Sequence, residues 1–210
     1  MTDRPILFSA PMIRALLEGR KTQTRRLAWR VHGSCSKCGR SGRIYSAGKF
    51  IQCPQCEGTG RRPTIWQKIK PGDRLWVRET WGTDDSAQDL SPPSQLCHFD
   101  HVGLMYRATD RCLFTRWRPS IHMPRWASRL TLCVTDVRRE RVREISEGDA
   151  VSEGSLCLPL TSLAAGARGA FTEIWNTIHG PDAWDRNDEV VALTFTVHKA
   201  NIDQLGEQAA

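Results

Sequence analysis

Apolar and polar positions alternate most cleanly near the end of the chain, where Val191, Leu193, Phe195 and Val197 share one face of a predicted final strand. The same period of two marks Arg74 to Thr80, with Leu75 and Val77 on one face and Trp76 and Arg78 on the other. It recurs at Leu130, Leu132 and Val134, in a strand expected to reach Val137. Ile6-Leu7-Phe8 and Val102 to Ala108 read as two further strands, and Thr22 to Trp29 as one that carries many charges. Helical spacing appears at Phe171, Ile174, Trp175 and Ile178, and Gly180-Pro181 stops that helix. Met12, Ala15 and Leu16 form the stripe of an earlier helix, with Ser9 as its cap, Pro11 in its first turn and Gly19 at its end. Ser146 to Gly154 reads as a short capped helix. Lys70-Pro71-Gly72-Asp73 is a turn, and the Asp and Pro residues of 82–100 mark an exposed loop. Residues 115–128 form an irregular basic loop, and no internal repeat stands out. Several short strands with few helices predict an α+β fold, a small β-barrel with helices packed on its outside. Residues 31–64, rich in Gly, Arg and Cys, read as an insertion. The barrel would then be built from 1–30 and 65–200, and 201–210 would be a flexible tail.

At 210 residues and 40% hydrophobic, the chain can bury a real core. No run of about 18 apolar residues exists, so no membrane helix is expected. The opening Met-Thr-Asp-Arg-Pro lacks a signal-peptide pattern, and the expected location is the cytoplasm, where thiols stay reduced. The net charge of +7 is unevenly spread. Residues 20–70 hold 13 of the 30 Lys and Arg and one acid, Glu57, so this stretch is +12 and the remainder is −5. A concentrated basic field points to a polyanionic partner, nucleic acid before any other; the alternative is a solvated surface that only aids solubility.

Cys35-Ser-Lys-Cys38 and Cys53-Pro-Gln-Cys56 are two C-x-x-C pairs separated by fourteen residues. Each turn brings two sulfurs to one metal, and a second turn completes the tetrahedron that structural Zn2+ accepts. Four thiolates close the site, so its expected role is structural. Cys56-Glu-Gly58-Thr-Gly60 also resembles half of the zinc module of J-domain co-chaperones, a local likeness because that module is longer and repeated. Lys37, Arg40, Arg43, Lys49, Arg61 and Arg62 surround the cysteines; a ribbon this basic either extends a nucleic-acid surface or only rigidifies an insertion. Cys97, Cys112, Cys133 and Cys157 show no metal spacing, and Cys133 in an apolar strand is expected in the core.

Arg4-Pro-Ile-Leu-Phe-Ser9 followed by Glu18-Gly-Arg-Lys-Thr-Gln-Thr-Arg-Arg26 resembles the ASCH domain. Pro71 to Trp81, Arg118 to Trp126 and Ile145 to Gly154 are similar to longer ASCH-type proteins of phages and prophages. The resemblance covers most of the chain outside the ribbon and the tail. It implies a PUA-like barrel and RNA-related function, so RNA is the favoured nucleic acid over DNA. One compact ASCH family removes the acyl group from N4-acetylcytidine. Its catalytic lysine and threonine lie in a Gly-Arg-Lys-Thr-x-Thr segment matched by Lys21 and Thr24, and its glutamate is matched by Glu153. This chain departs from that family in its length, its ribbon and its 115–128 loop, so the same substrate does not follow.

The chemistry is coherent. A threonine hydroxyl needs a neighbouring base, which Lys21 supplies if its amine is neutral, and like charge from Arg20, Arg25 and Arg26 favours that form. Glu153 can pass a proton to the leaving amine. The competing reading is that Lys21, Arg25 and Arg26 hold a phosphate and Thr24 is an ordinary strand residue. Three residues apart in a regular strand, Lys21 and Thr24 would face opposite sides, so a bulge or turn near Thr22 must bring them together. Further candidates for substrate or nucleic-acid contact are Arg20, Arg78, Glu79, Trp81, Arg118, His122 and Arg125; Trp117 and Trp126 join them as stacking candidates. Arg78 and Glu79 read equally as an ion pair, and tryptophans such as Trp66, Trp175 and Trp184 as core anchors. Two rival functions follow: a binding module that reads RNA or modified DNA without chemistry, and a metal-independent ribonuclease.

Overall fold

The computed structural model of the protein describes residues 1–83, 103–111, 116–155 and 166–206. In chain order its elements are β1 (Asp3–Leu7), α1 (Ala10–Leu17), β2 (Gln23–Leu27), β3 (Trp29–Ser34), β4 (Arg43–Ser46), β5 (Lys49–Gln52), β6 (Arg61–Pro63), β7 (Arg74–Arg78), β8 (Trp81–Thr83) and β9 (Leu104–Tyr106). They continue with β10 (Thr131–Arg141), α2 (Glu147–Ser152), α3 (Gly166–His179) and β11 (Glu189–His198). The class is α+β, with a core dominated by sheet.

Five strands form the main sheet in the order β1-β7-β10-β11-β2. β1 runs parallel to β7, a crossover that α1 and the cysteine-rich segment supply; the other pairs are antiparallel. Among the described residues the sheet is open, and no ladder closes the barrel expected from the strand pattern. Its two edges nevertheless approach each other. The Arg26 guanidinium, from β2, donates to the Leu7 carbonyl on β1 at 2.7 Å and stacks over the Phe8 ring at 5.1 Å. A side chain thus bridges the seam where a closed barrel would pair backbones.

The alternating faces read from the sequence become the core. Leu75, Val77, Leu132, Val134, Leu193 and Phe195 are buried beneath α1, which contributes Ile13 and Leu16. A bulge between Val134 and Asp136 shifts the register of β10, which then continues to Arg141, beyond the expected end at Val137. A second cluster joins Val142 and Ala150 to Phe171 and Trp175 of α3 and packs it against the sheet through Val190. The segment read as one strand from Thr22 to Trp29 divides at Ala28. The Ala28 N–H donates to the Glu189 carbonyl and its carbonyl accepts from Thr64, and beyond it β3 leaves the sheet to pair with β6. The start of the expected free tail is packed: Ile202 is fully buried, and the Asn201 amide donates to the carbonyls of Arg125, Trp126 and Ser128. The 82–100 loop beyond Thr83, and Cys97, Cys112 and Cys157, lie outside the described residues.

Candidate active site and metal centre

The four cysteines of the insertion converge. Their sulfurs all lie within 4.8 Å of one another, with Cys35 and Cys53 at 3.9 Å and Cys38 and Cys56 at 3.5 Å. Metal–sulfur bonds of about 2.3 Å in a tetrahedron require sulfurs about 3.8 Å apart, so the cluster has the dimensions to hold a metal ion. Three of the four are buried, and the group packs on the main core beside Trp29 and Ile69.

The scaffold is a repeat of eight residues that the sequence reading passed over: Cys35-x-x-Cys38-x-x-Ser41-Gly42 and Cys53-x-x-Cys56-x-x-Thr59-Gly60. Ser41 Oγ donates to the Cys38 carbonyl at 2.8 Å, and Thr59 Oγ1 does the same to Cys56 at 2.7 Å. The Cys53 N–H donates to the Gly42 carbonyl, and the Cys35 N–H to that of Gly60. Each knuckle thereby closes on the start of the other. Gly42 and Gly60 have φ of +71° and +69°, and a Cβ would sit 2.2 Å from the Gly58 oxygen and 2.4 Å from the Arg40 oxygen. Only glycine satisfies both demands.

A second convergence lies at the seam between β1 and β2. Lys21, 2% exposed, turns its Nζ to the carbonyls of Gln23 (2.8 Å) and Glu153 (2.7 Å) and to Glu153 Oε2 (2.8 Å). Glu153 sits at the C-terminal end of α2, whose N-cap Ser146 accepts from the Asp149 N–H. Its other oxygen faces Arg25 Nη1 at 3.3 Å. Arg25 is itself fully enclosed, with Glu140 at 2.7 Å and Asp149 at 3.2 Å. Burial works against the Asp149 carboxylate, but the hydrogen bond from Gln23 and the charges of Arg25 and Arg138 prevail and hold its pKa below the ordinary value.

The turn demanded near Thr22 is present. Lys21 precedes β2, and its N–H donates to the Ala15 carbonyl at the end of α1. Thr22 is pinned on both sides, its N–H to the Ser152 carbonyl and its own carbonyl to the Phe195 N–H. The ladder starts only at Gln23, so alternation does not separate Lys21 from Thr24. Both line one cavity of about 140 Å3, together with Glu153, Arg25 and Arg26. Its opposite wall is apolar: Phe8 and Met12 from the α1 side, and Phe171, Ile174 and Trp175 from α3. The helical spacing predicts Trp175 as a core anchor; in the fold it also forms a wall of the cavity. The Trp175 indole N–H is buried with no partner among the described residues, and His179, ring centroid 4.2 Å from that of Trp175, closes the rim. Burial first, then the charges of Arg26 and Arg186, lowers the His179 pKa.

The remaining candidates do not join this cavity. Arg20 is exposed and paired with Glu18, 2.7 Å from its Nε. Arg78 stacks on Trp76 at 5.3 Å and donates to the Ile121 carbonyl. The expected Arg78–Glu79 pair is replaced: Glu79 is buried and held bidentately by Arg129 at 2.9 and 3.0 Å. Burial raises the Glu79 pKa against the pull of Arg129. Trp81 is wholly buried against Met123 and Ala127, with Arg118 over its ring at 5.2 Å, so it has no face to offer a base. Arg125 clamps Asp3 at 2.7 Å and Asp203 at 2.6 Å, a structural tie between the two chain ends. His122 is exposed in a short turn over Ser120–His122, and Trp117 lies beneath Arg107 at 5.3 Å. Part of the +12 field is also spent internally: Lys21 and Arg25 as above, and Arg61 on Asp188 at 3.0 Å.

None of the helices among the described residues is long and apolar enough to cross a membrane. No protein-family model matches the chain, and no curated protein or solved structure is significantly similar to it.

Proposed function

We propose that the chain is an amidohydrolase that removes an acyl group from an exocyclic amine of a nucleobase, with Thr24 as nucleophile, and that Zn2+ holds the ribbon together. The observation that carries this reading is the buried Lys21 Nζ–Glu153 Oε2 contact of 2.8 Å in a cavity that Thr24 also lines. The resemblance of the Gly19 to Arg26 segment to the ASCH deacylases points the same way. Three acceptors around Nζ fit an ammonium in the resting site, so the base must first be released within the pair. Lys21 passes a proton to Glu153, which leaves a neutral amine beside a carboxylic acid. The amine takes the Thr24 hydroxyl proton as Oγ1 attacks the acyl carbon. The carboxylic acid protonates the departing amine as the C–N bond breaks. The pair is then charged again, and Thr24 carries the acyl group as an ester. The same cycle with water in place of Thr24 releases the acid and returns the hydroxyl.

The cavity matches such a substrate. An apolar cavity of about 150 Å3 is known to hold one six-membered ring, and the aromatic wall of Phe171 and Trp175 offers a surface to a flat base or its acyl group. Sulfurs with a tetrathiolate geometry and no carboxylate select zinc over harder cations.

The test is release of cytidine from N4-acetylcytidine and from analogues with longer acyl chains. Thr24→Ala is expected to lower turnover by at least about 100-fold, and Thr24→Ser to restore part of it. Failure of the wild type to release cytidine from any acyl analogue overturns the proposal.

A further inference from the structure

The β4–β5 hairpin carries two large rings on the outside of the molecule. Tyr45 and Phe50 are directly opposed across it, edge to face with centroids 5.3 Å apart. They are 66% and 71% exposed. Only two residues link the strands, Ala47 at φ 47° and Gly48 at φ 78°; left-handed values at both turn positions give the tight connection that matches strand twist and keeps a hairpin stiff. The rings are therefore presented in a fixed arrangement, without a core to fill.

Their surroundings identify what they meet. Beside Phe50 runs a groove of about 440 Å3 lined by Ser41, Arg43 and Gln52. Gln52 Nε2 donates to the Glu57 carbonyl at 2.6 Å, which orients the amide and leaves its oxygen as an acceptor. Arg43 lies two residues before Tyr45 on β4 and shares the ring-bearing face, whereas Lys49 projects from the other face with Ile44 and Ile51. The ribbon's one acid, Glu57, is held by Arg139 at 2.9 Å, and Arg61 is held by Asp188. Among the described residues Lys37, Arg40, Arg43, Lys49 and Arg62 make no ion pair. Strand alternation puts Arg43 and Gln52 on the same face of the hairpin as Tyr45 and Phe50, so a cation without an ion-pair partner among the described residues stands beside the rings.

We propose that this hairpin is a binding site for single-stranded nucleic acid, with bases stacked on Tyr45 and Phe50 and a phosphate held by Arg43. Exposed ring faces beside unpaired cations are how sequence-tolerant single-strand sites are built, because every base has a π-face and every nucleotide a charge. A duplex keeps its bases stacked on one another and cannot use the rings. An acidic peptide would satisfy the cations but leave the rings bare. The proposal does not rest on the hydrolase reading: it concerns another surface and needs no turnover.

Fluorescence anisotropy of the full-length, zinc-loaded protein with labelled oligo-dT and oligo-U tests it, with a duplex and polyglutamate as the other arms. Tyr45→Ala and Phe50→Ala are each expected to weaken single-strand binding about tenfold, with zinc content and melting temperature unchanged. Phe50→Trp should restore affinity. Arg43→Gln should flatten the slope of log K against log salt by about 0.7. Comparison of the dT and U arms reports whether RNA or DNA is preferred. Any of three results overturns the proposal: no single-strand binding at low salt, alanine variants that bind like the wild type, or duplex or polyglutamate bound equally well with the same losses.

Discussion

Lys21→Met removes the cation from the buried pair while keeping much of the side-chain volume. The carboxylate of Glu153, 5% exposed, then loses its 2.8 Å partner and retains Arg25 at 3.3 Å. Breaking a buried pair from one side costs about 3–5 kcal/mol, because the surviving charge stays out of water. With Arg25 still in place the lower figure applies, about 3 kcal/mol. For a chain of this length that amounts to a fall in Tm of roughly 6–12 °C. Lys21→Met/Glu153→Met should recover most of the loss, since apolar replacement of an entire buried pair is close to neutral. Urea or thermal denaturation of the two single variants and the double variant closes the cycle. A Lys21→Met protein that melts with the wild type, or a double variant no better than the sum of the singles, would refute the buried pair. The same arithmetic governs how the catalytic reading is tested: loss of activity in a Lys21 variant counts only at a temperature where that variant is shown to be folded.

Three further predictions follow from the geometry. Purified protein should hold one zinc per chain by metal analysis, and Cys53→Ser should lose it and make the ribbon protease-sensitive. Gly42→Ala, at φ +71° with 2.2 Å to the Gly58 oxygen, should weaken zinc retention against a chelator far more than Gly48→Ala, where nothing stands within 4 Å. The His179 pKa is lowered in the fold, so below its unfolded value of about 6.5 the unfolded chain binds the proton more readily. Stability is complete above that pH and declines as pH falls through it, and His179→Gln should reduce the decline in denaturation curves collected across the range.

Much of the fold was legible because it rests on local periodicity. The stripes of α3 and β11 and the Ser146 cap of α2 are patterns that neighbouring residues carry among themselves, and the structure has them at those places. What was not legible depends on partners far along the chain. β10 continues through Arg138, Arg139, Glu140 and Arg141 because β11 pairs with every one of them, although no apolar alternation marks that stretch. The split at Ala28 is decided by Glu189 and Thr64. Trp81 and Trp175 look alike in sequence, yet one is sealed beneath Met123 and the other lines a cavity, an outcome set by elements about 40 and 150 residues from them. The cysteine spacing announces a metal-sized cluster, whereas the role of the Ser41-Gly42 and Thr59-Gly60 halves of the same repeat depends on contacts between the two knuckles that spacing does not show. The basic stretch was read as a single field, but ion pairs to residues after 130 consume part of it.

The proposed hydrolysis requires that Thr24 become acylated. Rapid quenching of the protein with N4-acetylcytidine bearing an isotopically labelled acetyl group, followed by peptide mass spectrometry, tests this directly. Labelled acetyl is expected on the peptide containing Thr24, formed before free acetate accumulates and absent in Thr24→Ala. Cytidine release at the wild-type rate by Thr24→Ala, with no labelled peptide in either protein, would contradict it.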